Sequence, residues 1–301
     1  MDVRQLEYFL AVVDHGGFNR AAGALFVAQP SLSQAIRGLE KDLGTQLFHR
    51  NGRRVVLTEA GRALIGPARQ AVRSLEVARE SVTAAHGLRT GRIAVASMPS
   101  PAIEPLGGMV QRFAARYPGV DVVLRDAPVP GAVIDMVRTG VTELGLLSAW
   151  EPPATTDVDL HPVGEQRLVL VAPPDGPFEP GPPLPRERLA GHRLIAGERG
   201  TGMRRLADEI RASGVDVPFA VETDHRAAIL SLVLKGVGVA ILAEAWRPLA
   251  LRAGAVVRDL DPPASLHIAL AGRKGWLSPI AEEFLRMALS RDPWTDPETG
   301  R

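Results

Sequence analysis

The dipeptide Asn51-Gly52 sits between two short apolar runs, Leu47-Phe48 and Val55-Val56-Leu57. An Asn-Gly pair tolerates the positive φ angles of a tight turn, so the stretch predicts a two-stranded antiparallel hairpin. Arg50, Arg53 and Arg54 crowd its tip, and a basic hairpin suits phosphate or minor-groove contact. The segments upstream decide what such a hairpin can belong to. Leu6, Phe9, Leu10 and Val13 recur at helical spacing, which predicts a helix over 2–14 ended by Gly16-Gly17. A second short helix is predicted from Asn19 as its N-cap, with Ala21, Ala22 and Leu25 on the buried side. A third covers 29–43, where Leu32, Ile36, Leu39 and Leu43 form one apolar stripe. Pro30 suits its first turn and Gly44 its C-terminal cap.

Opposite that stripe, Ser33, Gln34 and Arg37 share a face, with Gln29 and Ser31 at the N-terminal end. Gln can bond adenine bidentately, Arg can bond guanine, and Ser can reach bases or phosphate. By itself the face is either a solvated helix surface or a base-reading one. Its neighbours favour the second: short helices, a tight turn, a polar-faced third helix and a basic hairpin predict a winged helix-turn-helix. Charge leans the same way. Residues 1–92 hold 13 Arg and Lys against 8 Asp and Glu, a balance of +5, whereas the whole chain is only +1. A basic first part on an acidic remainder suggests an anionic partner.

From Thr58 to about His86 the only interruption of a helical pattern is Gly66-Pro67. Leu64, Ala68, Ala71, Leu75, Ala78 and Val82 alternate spacings of four and three, a heptad seam whose small residues let two helices approach closely. Pro67 should remove one hydrogen bond and bend this helix. A packed single helix and a dimer seam both fit, and the dimer also explains how two winged domains would meet two operator half-sites. "GLRTGRIAV" then marks a boundary, after which the pattern becomes βαβ.

Ile93–Ser97, Val120–Leu124 and Leu144–Leu147 read as strands, with helices at 103–116 and 131–139. Their near-continuous apolar runs predict buried parallel strands. A second set runs from the strand at 167–172 through helix 203–213, strand 218–221 and helix 225–234 to strand 237–242. The Pro-rich stretch between Pro173 and Glu187 reads as a surface loop. Strand 266–271 and helix 277–289 return to complete the first set. Two α/β lobes of this kind make a cleft where small ligands bind at strand ends.

The segments "LEYFLAVVDHGGFNRAAGAL" and "AQPSLSQAIRGLEKDLGTQLFHRNGRRVVLTEAG" resemble the LysR-type transcriptional regulators nearly continuously over 2–61, with Asn19 and Ala28 where the family has Ser or Thr. "RFAARYPGVDVVL", "MVRTGVTELGLL" and "ILSLVLKGVGVAIL" resemble that family's effector domain more loosely. The resemblance implies a winged helix-turn-helix over 1–58, a linker and dimerisation helix over 59–88, and a periplasmic-binding-protein-like α/β effector domain over 92–301. Its first lobe would take 92–162 and 266–301, and its second 163–265. DNA contact would fall to Gln29, Pro30, Ser31, Ser33, Gln34, Arg37, Arg50, Arg53 and Arg54. An effector would lie near Ser97, Met98, Ser100, Val129, Ser148, Thr201, Thr223 and Asp224. Hydroxyls near helix N-termini suit a carboxylate or other anion, although each also suits a turn or cap. The implied partners are double-stranded operator DNA, a small-molecule effector and further copies of the chain in a dimer or tetramer, with RNA polymerase as an additional one.

Zero cysteines exclude disulfides, thiolate metal sites and thiol redox sensing. The seven histidines show no pair at helical ligand spacing. "GVGVAI" at 236–241 resembles part of a dinucleotide fingerprint but enters a strand instead of leaving one. No metal, cofactor or enzymatic activity is therefore expected. The apolar runs are strand-sized and the first residues lack a signal-peptide pattern, so a cytoplasmic location without a membrane partner is expected. A solute-binding sensor that reads no DNA is the rival interpretation, and it leaves the arginine-rich hairpin unexplained.

Overall fold

The computed structural model describes residues 1–51, 54–84, 90–275 and 277–290, without the side chains of 50, 51, 54, 76 and 79–84. Helix α1 (Val3–Asp14) starts in a capping box: the Asp2 carboxylate accepts from the Gln5 N–H, and the Gln5 side chain accepts from the Asp2 N–H. Helix α2 (Phe18–Ala24) begins earlier than the sequence suggests, with Gly17 and not Asn19 as its N-cap. The Phe18 ring packs edge-on against Phe48 at 5.6 Å, and that contact holds the first turn in place. Leu25 is half exposed at the end of α2, outside the expected apolar face.

Helix α3 (Gln29–Leu43) has the expected bounds, and Gly44 closes it in the left-handed conformation. Leu32, Ile36 and Leu39 are fully buried, while Leu43 at the last turn is 38% exposed. Strands β1 (Phe48–Asn51) and β2 (Arg54–Leu57) pair antiparallel from Phe48↔Leu57 to Asn51↔Arg54. Asn51 thus lies in the ladder's last rung and not in the turn. Gly52 and Arg53 lie outside the described residues.

Helix α4 (Glu59–Ala84) continues unbroken through Pro67. Its first half packs on α1, where Ala68 is fully buried and Leu64, Ile65 and Val72 are partly so. The seam therefore divides. Leu64 and Ala68 serve the chain's own core, Ala71 and Ala78 are exposed and Leu75 is partly so. The side chain of Val82 lies outside the described residues.

The C-terminal half starts with β3 (Gly91–Ser97), paired parallel with β4 (Val120–Asp126) and β5 (Leu144–Ala149). The single helix expected between the first two strands is two, α5 (Pro99–Ile103) and α6 (Leu106–Arg116), divided at Pro105. Helix α7 (Pro130–Arg138) covers the next crossover. Strand β6 (Val158–Ala172) is more than twice its expected length and runs on into the second lobe. There β7 (Leu184–Pro185) lies within the Pro-rich segment, which is anchored by the buried Phe178 and Leu184.

Strand β8 (Leu194–Ala196), missed in the sequence, leads to α8 (Gly202–Ala212) and then β9 (Phe219–Glu222), which pairs parallel with it. Helix α9 (Arg226–Leu234) and β10 (Ala240–Ala243) follow. Helix α10 (Arg247–Arg252) and strand β11 (Val256–Asp261) were also unforeseen. Finally β12 (Ser265–Arg273) and α11 (Pro279–Leu289) close the first lobe.

The strand order β4-β3-β5-β12-β6-β11-β7, with β10 also on β6, mixes parallel and antiparallel pairs. β3, β4 and β5 are parallel to one another as expected, and β11 also pairs parallel with β7, whereas β12 runs antiparallel to both β5 and β6. Burial on both faces accounts for the continuous apolar run of β5, whereas β4 lies at the sheet edge and is not the buried strand expected there, with Leu124 48% exposed. Strands β6 and β12 pair from Ser265↔Arg167 to Arg273↔Val158 and carry the chain between lobes. Each lobe packs its own core beneath this sheet.

Candidate nucleic-acid interface and effector cleft

Helix α3 offers Gln29, Pro30, Ser31, Gln34 and Arg37 to solvent, all on the side away from the core. Ser33 is the exception and is 8% exposed. It lies one turn below Ile36 and beside Leu32, so it rides on the flank of the apolar stripe. The Arg37 Nε donates to the Ser33 carbonyl oxygen at 3.4 Å, and the side chain is exposed. Ala28 caps the helix without a side-chain bond, and its carbonyl accepts from the Ser31 N–H at 3.0 Å and the Leu32 N–H at 3.2 Å.

The hairpin is held to this helix by one side chain that the sequence did not single out. Glu40 Oε1 accepts from the Leu47 N–H at 2.9 Å and from the Phe48 N–H at 3.4 Å. Thr58 braces the other strand, its hydroxyl donating to the Gln46 carbonyl at 2.7 Å and accepting from the Gly61 N–H at 2.9 Å. The backbone of Arg50 and Arg54 is thereby placed on paired strands next to α3. Their side chains and Arg53 lie outside the described residues. A second missed feature is Phe26, 96% exposed at φ +54° in the turn before α3. Its only signal in the sequence is an aromatic residue between two helices with no glycine to make the turn.

In the first lobe the ends of β3 and β5 bring Ser97, Met98, Ser100 and Ser148 together, all nearly fully buried. Their polar atoms are already engaged. The Ser97 hydroxyl donates to the Met98 carbonyl at 3.0 Å, and the Ser148 N–H points at the Met98 sulfur at 3.4 Å. Ser100 Oγ accepts from Trp246 Nε1 at 3.1 Å, a bond that links the lobes. In the second lobe Thr201 caps α8, and its hydroxyl donates to the Glu198 carbonyl at 2.9 Å. Thr223 accepts from the His225 N–H at 3.0 Å, and Asp224 is exposed. Turn and cap roles thus occupy Thr201 and Thr223.

Val129 stands at the start of α7 and meets the other lobe, since a Cβ on Gly200 would lie 3.6 Å from its Cγ1. A cavity of about 690 Å³ opens beside that contact. Of the expected effector residues, Ser148 and Thr201 line it. Trp150, Arg199 and Arg205, which the sequence did not single out, line it as well, with the Arg205 guanidinium 5.0 Å from the Trp150 ring centre.

Charge on α4 connects the two halves. Arg69 pairs with Asp14 of α1, and Arg73 Nη2 reaches Glu143 Oε2 at 2.6 Å ahead of β5. The same glutamate accepts from the Ser278 N–H at 2.8 Å and its hydroxyl at 2.9 Å. No helix among the described residues is long and apolar enough to cross a membrane.

Comparison with known proteins gives this geometry a family. Residues 3–62 match the bacterial regulatory helix-turn-helix protein model of the lysR family, and residues 86–292 match the LysR substrate binding domain. The chain is 30% identical over 296 residues to the RuBisCO operon transcriptional regulator of Allochromatium vinosum, covering 96% of each protein. Its fold matches a full-length OxyR variant from Pseudomonas aeruginosa with a TM-score of 0.75 at 22% identity, over 96% of this chain and 94% of that one. It matches CbnR in complex with its target DNA with a TM-score of 0.69 at 21% identity, over 96% and 99%. The chain belongs to the LysR family of bacterial helix-turn-helix transcriptional regulators.

Proposed function

We propose that α3 enters the major groove of a dyad-symmetric operator, with Gln29, Ser31, Gln34 and Arg37 toward the bases and Arg50, Arg53 and Arg54 on the flanking phosphates. The observation that carries this is the division of α3, whose Leu32, Ile36 and Leu39 are fully buried while its polar residues, Ser33 excepted, are presented as one exposed face. The structure of CbnR with its target DNA supports the same use of the fold. Two copies joined along Ala71, Leu75 and Ala78 would place two such helices on successive half-sites, and two dimers would form a tetramer. The protein works in the cytoplasm and carries out no catalytic step of its own.

A small-molecule effector held between the lobes switches the assembly. It does so only through a difference in affinity for two arrangements of the winged domains. Helix α4, tied to α1 by Arg69 and to the first lobe by Arg73, is the element that would transmit the difference.

Replacing Arg37 by Ala is expected to weaken operator binding by about 1–3 kcal/mol and to relax base preference at one position. Replacing Arg53 by Ala should weaken all sequences alike and flatten the salt dependence. Retardation assays on operator and shuffled duplexes separate the two. Equal losses on both duplexes for Arg37→Ala would remove its base-reading role.

A further inference from the structure

A buried charged group that operator recognition does not use lies close to the cleft, outside the lining of the 690 Å³ cavity. Arg226, the first residue of α9, is 7% exposed. Its Nη1 is buried and has no hydrogen-bond partner among the described residues. An ionised donor withdrawn from water without an acceptor is costly and marks a place where something else supplies the acceptor.

Two carboxylates lie within electrostatic reach, Glu198 in the loop after β8 and Asp126 at the end of β4. They come from opposite lobes, so Arg226 stands where the lobes meet. Asp126 pairs in register with Ser97, and the Glu198 carbonyl receives the Thr201 hydroxyl. The two acids that act on Arg226 thus each adjoin an expected effector residue, one in each lobe. Burial pushes its guanidinium below the ordinary value, while Glu198 and Asp126 pull it back up. Both acids favour the charged form, yet neither takes the Nη1 hydrogens.

We propose that Arg226 is the charge partner of an effector carrying an oxyanion, a carboxylate or a phosphate, bound between the lobes. The guanidinium fork matches either group with parallel hydrogen bonds. Asp126 and Glu198 set the affinity by competing for the same cation and repelling the ligand. This inference rests on the effector reading of the cleft and assigns that effector its chemical class.

The test uses the full chain and its tryptophan fluorescence, to which Trp150 in the cavity lining and Trp246, bonded to Ser100 of the other lobe, contribute. Succinate and inorganic phosphate are titrated separately at constant ionic strength, with succinamide as the uncharged counterpart. At least one anion is expected to bind where succinamide does not, and the better of the two identifies the oxyanion. Arg226→Gln should weaken that binding by about tenfold or more, with Arg226→Lys intermediate. Asp126→Asn should tighten it, an effect that a purely structural arginine would not produce. If Arg226→Gln misfolds, as circular dichroism would show, Arg226→Lys and Asp126→Asn carry the test.

Wild-type protein that binds neither anion overturns the assignment, as does Arg226→Gln binding as well as wild type. Asp126→Asn that leaves affinity unchanged or weaker also overturns it. Operator retardation by the same samples keeps the two readings apart. Intact retardation with no anion binding removes only the role of Arg226, whereas absent retardation in the wild type removes the regulator itself.

Discussion

Gly61→Ala is expected to abolish operator binding while leaving the effector half folded. Gly61 lies in the first turn of α4, where the helix start presses against the backbone of the hairpin. A Cβ there would overlap the Leu47 carbonyl oxygen and lie 2.9 Å from Leu57 Cδ2. The obstruction is backbone and cannot rotate aside. That carbonyl also accepts from the Thr58 N–H at 3.0 Å, and Thr58 in turn holds Gln46 and Gly61. To admit one methyl group, α4 must swing off β1 and break this set of bonds. The expected cost is about 2–4 kcal/mol, overpacking plus a lost cap.

Because Glu40 ties the same strand to α3, the displacement reaches the reading face as well. All four tryptophans, at 150, 246, 276 and 294, lie in the C-terminal half. Their fluorescence should therefore report an unchanged transition while helical circular dichroism melts earlier. Gly66→Ala, five residues along the same helix, meets nothing within 4 Å and should gain about 0.5–1 kcal/mol. Wild-type operator affinity in Gly61→Ala would refute the packing argument.

The second large effect is on assembly. Ala71→Glu is expected to convert the oligomer to monomers and lower operator affinity by about a hundredfold to ten-thousandfold, the loss of a second tethered contact. Ala71 is exposed and flanked on the seam by the part-exposed Leu75 and the exposed Ala78. In the single chain a glutamate there costs only a few tenths of a kcal/mol of helix propensity. Against a partner helix the same side chain would bury a charge in a close-packed seam. Ala63→Glu is the control, since Ala63 is exposed on α4 but lies off the seam. Light scattering at micromolar concentration should show halved or quartered mass for Ala71→Glu alone. An unchanged mass would move the interface elsewhere.

Local periodicity made the winged half legible. The stripe of α3, its Gly44 cap and the basic hairpin needed only spacing and turn chemistry. What failed there failed for tertiary reasons. Ser33 is buried because it flanks the stripe, and Ala68 because α1 lies across a seam that spacing alone cannot assign to one partner or another. In the effector half, strand existence was legible where both faces are buried, as in β5. Direction and length were not, because β6 and β12 are defined by pairing between distant segments.

The site shows the same limit more sharply. Ser97, Ser148 and Thr201 were found at strand ends and a helix start, where local rules apply. Arg226 follows two expected effector residues, Thr223 and Asp224, in the polar string "ETDHR", where local rules give no sign that it is buried. Glu40 likewise looks like one more acid on a wet helix until its oxygen is seen on the hairpin backbone.

Retardation of the DNA upstream of the protein's own gene, compared with a shuffled duplex across a salt series, tests the central claim most directly. The full chain should prefer the upstream DNA by about a thousandfold or more, with affinity for both duplexes falling steeply as salt rises. Equal affinity for the two duplexes at every salt concentration would contradict a sequence-reading role for α3.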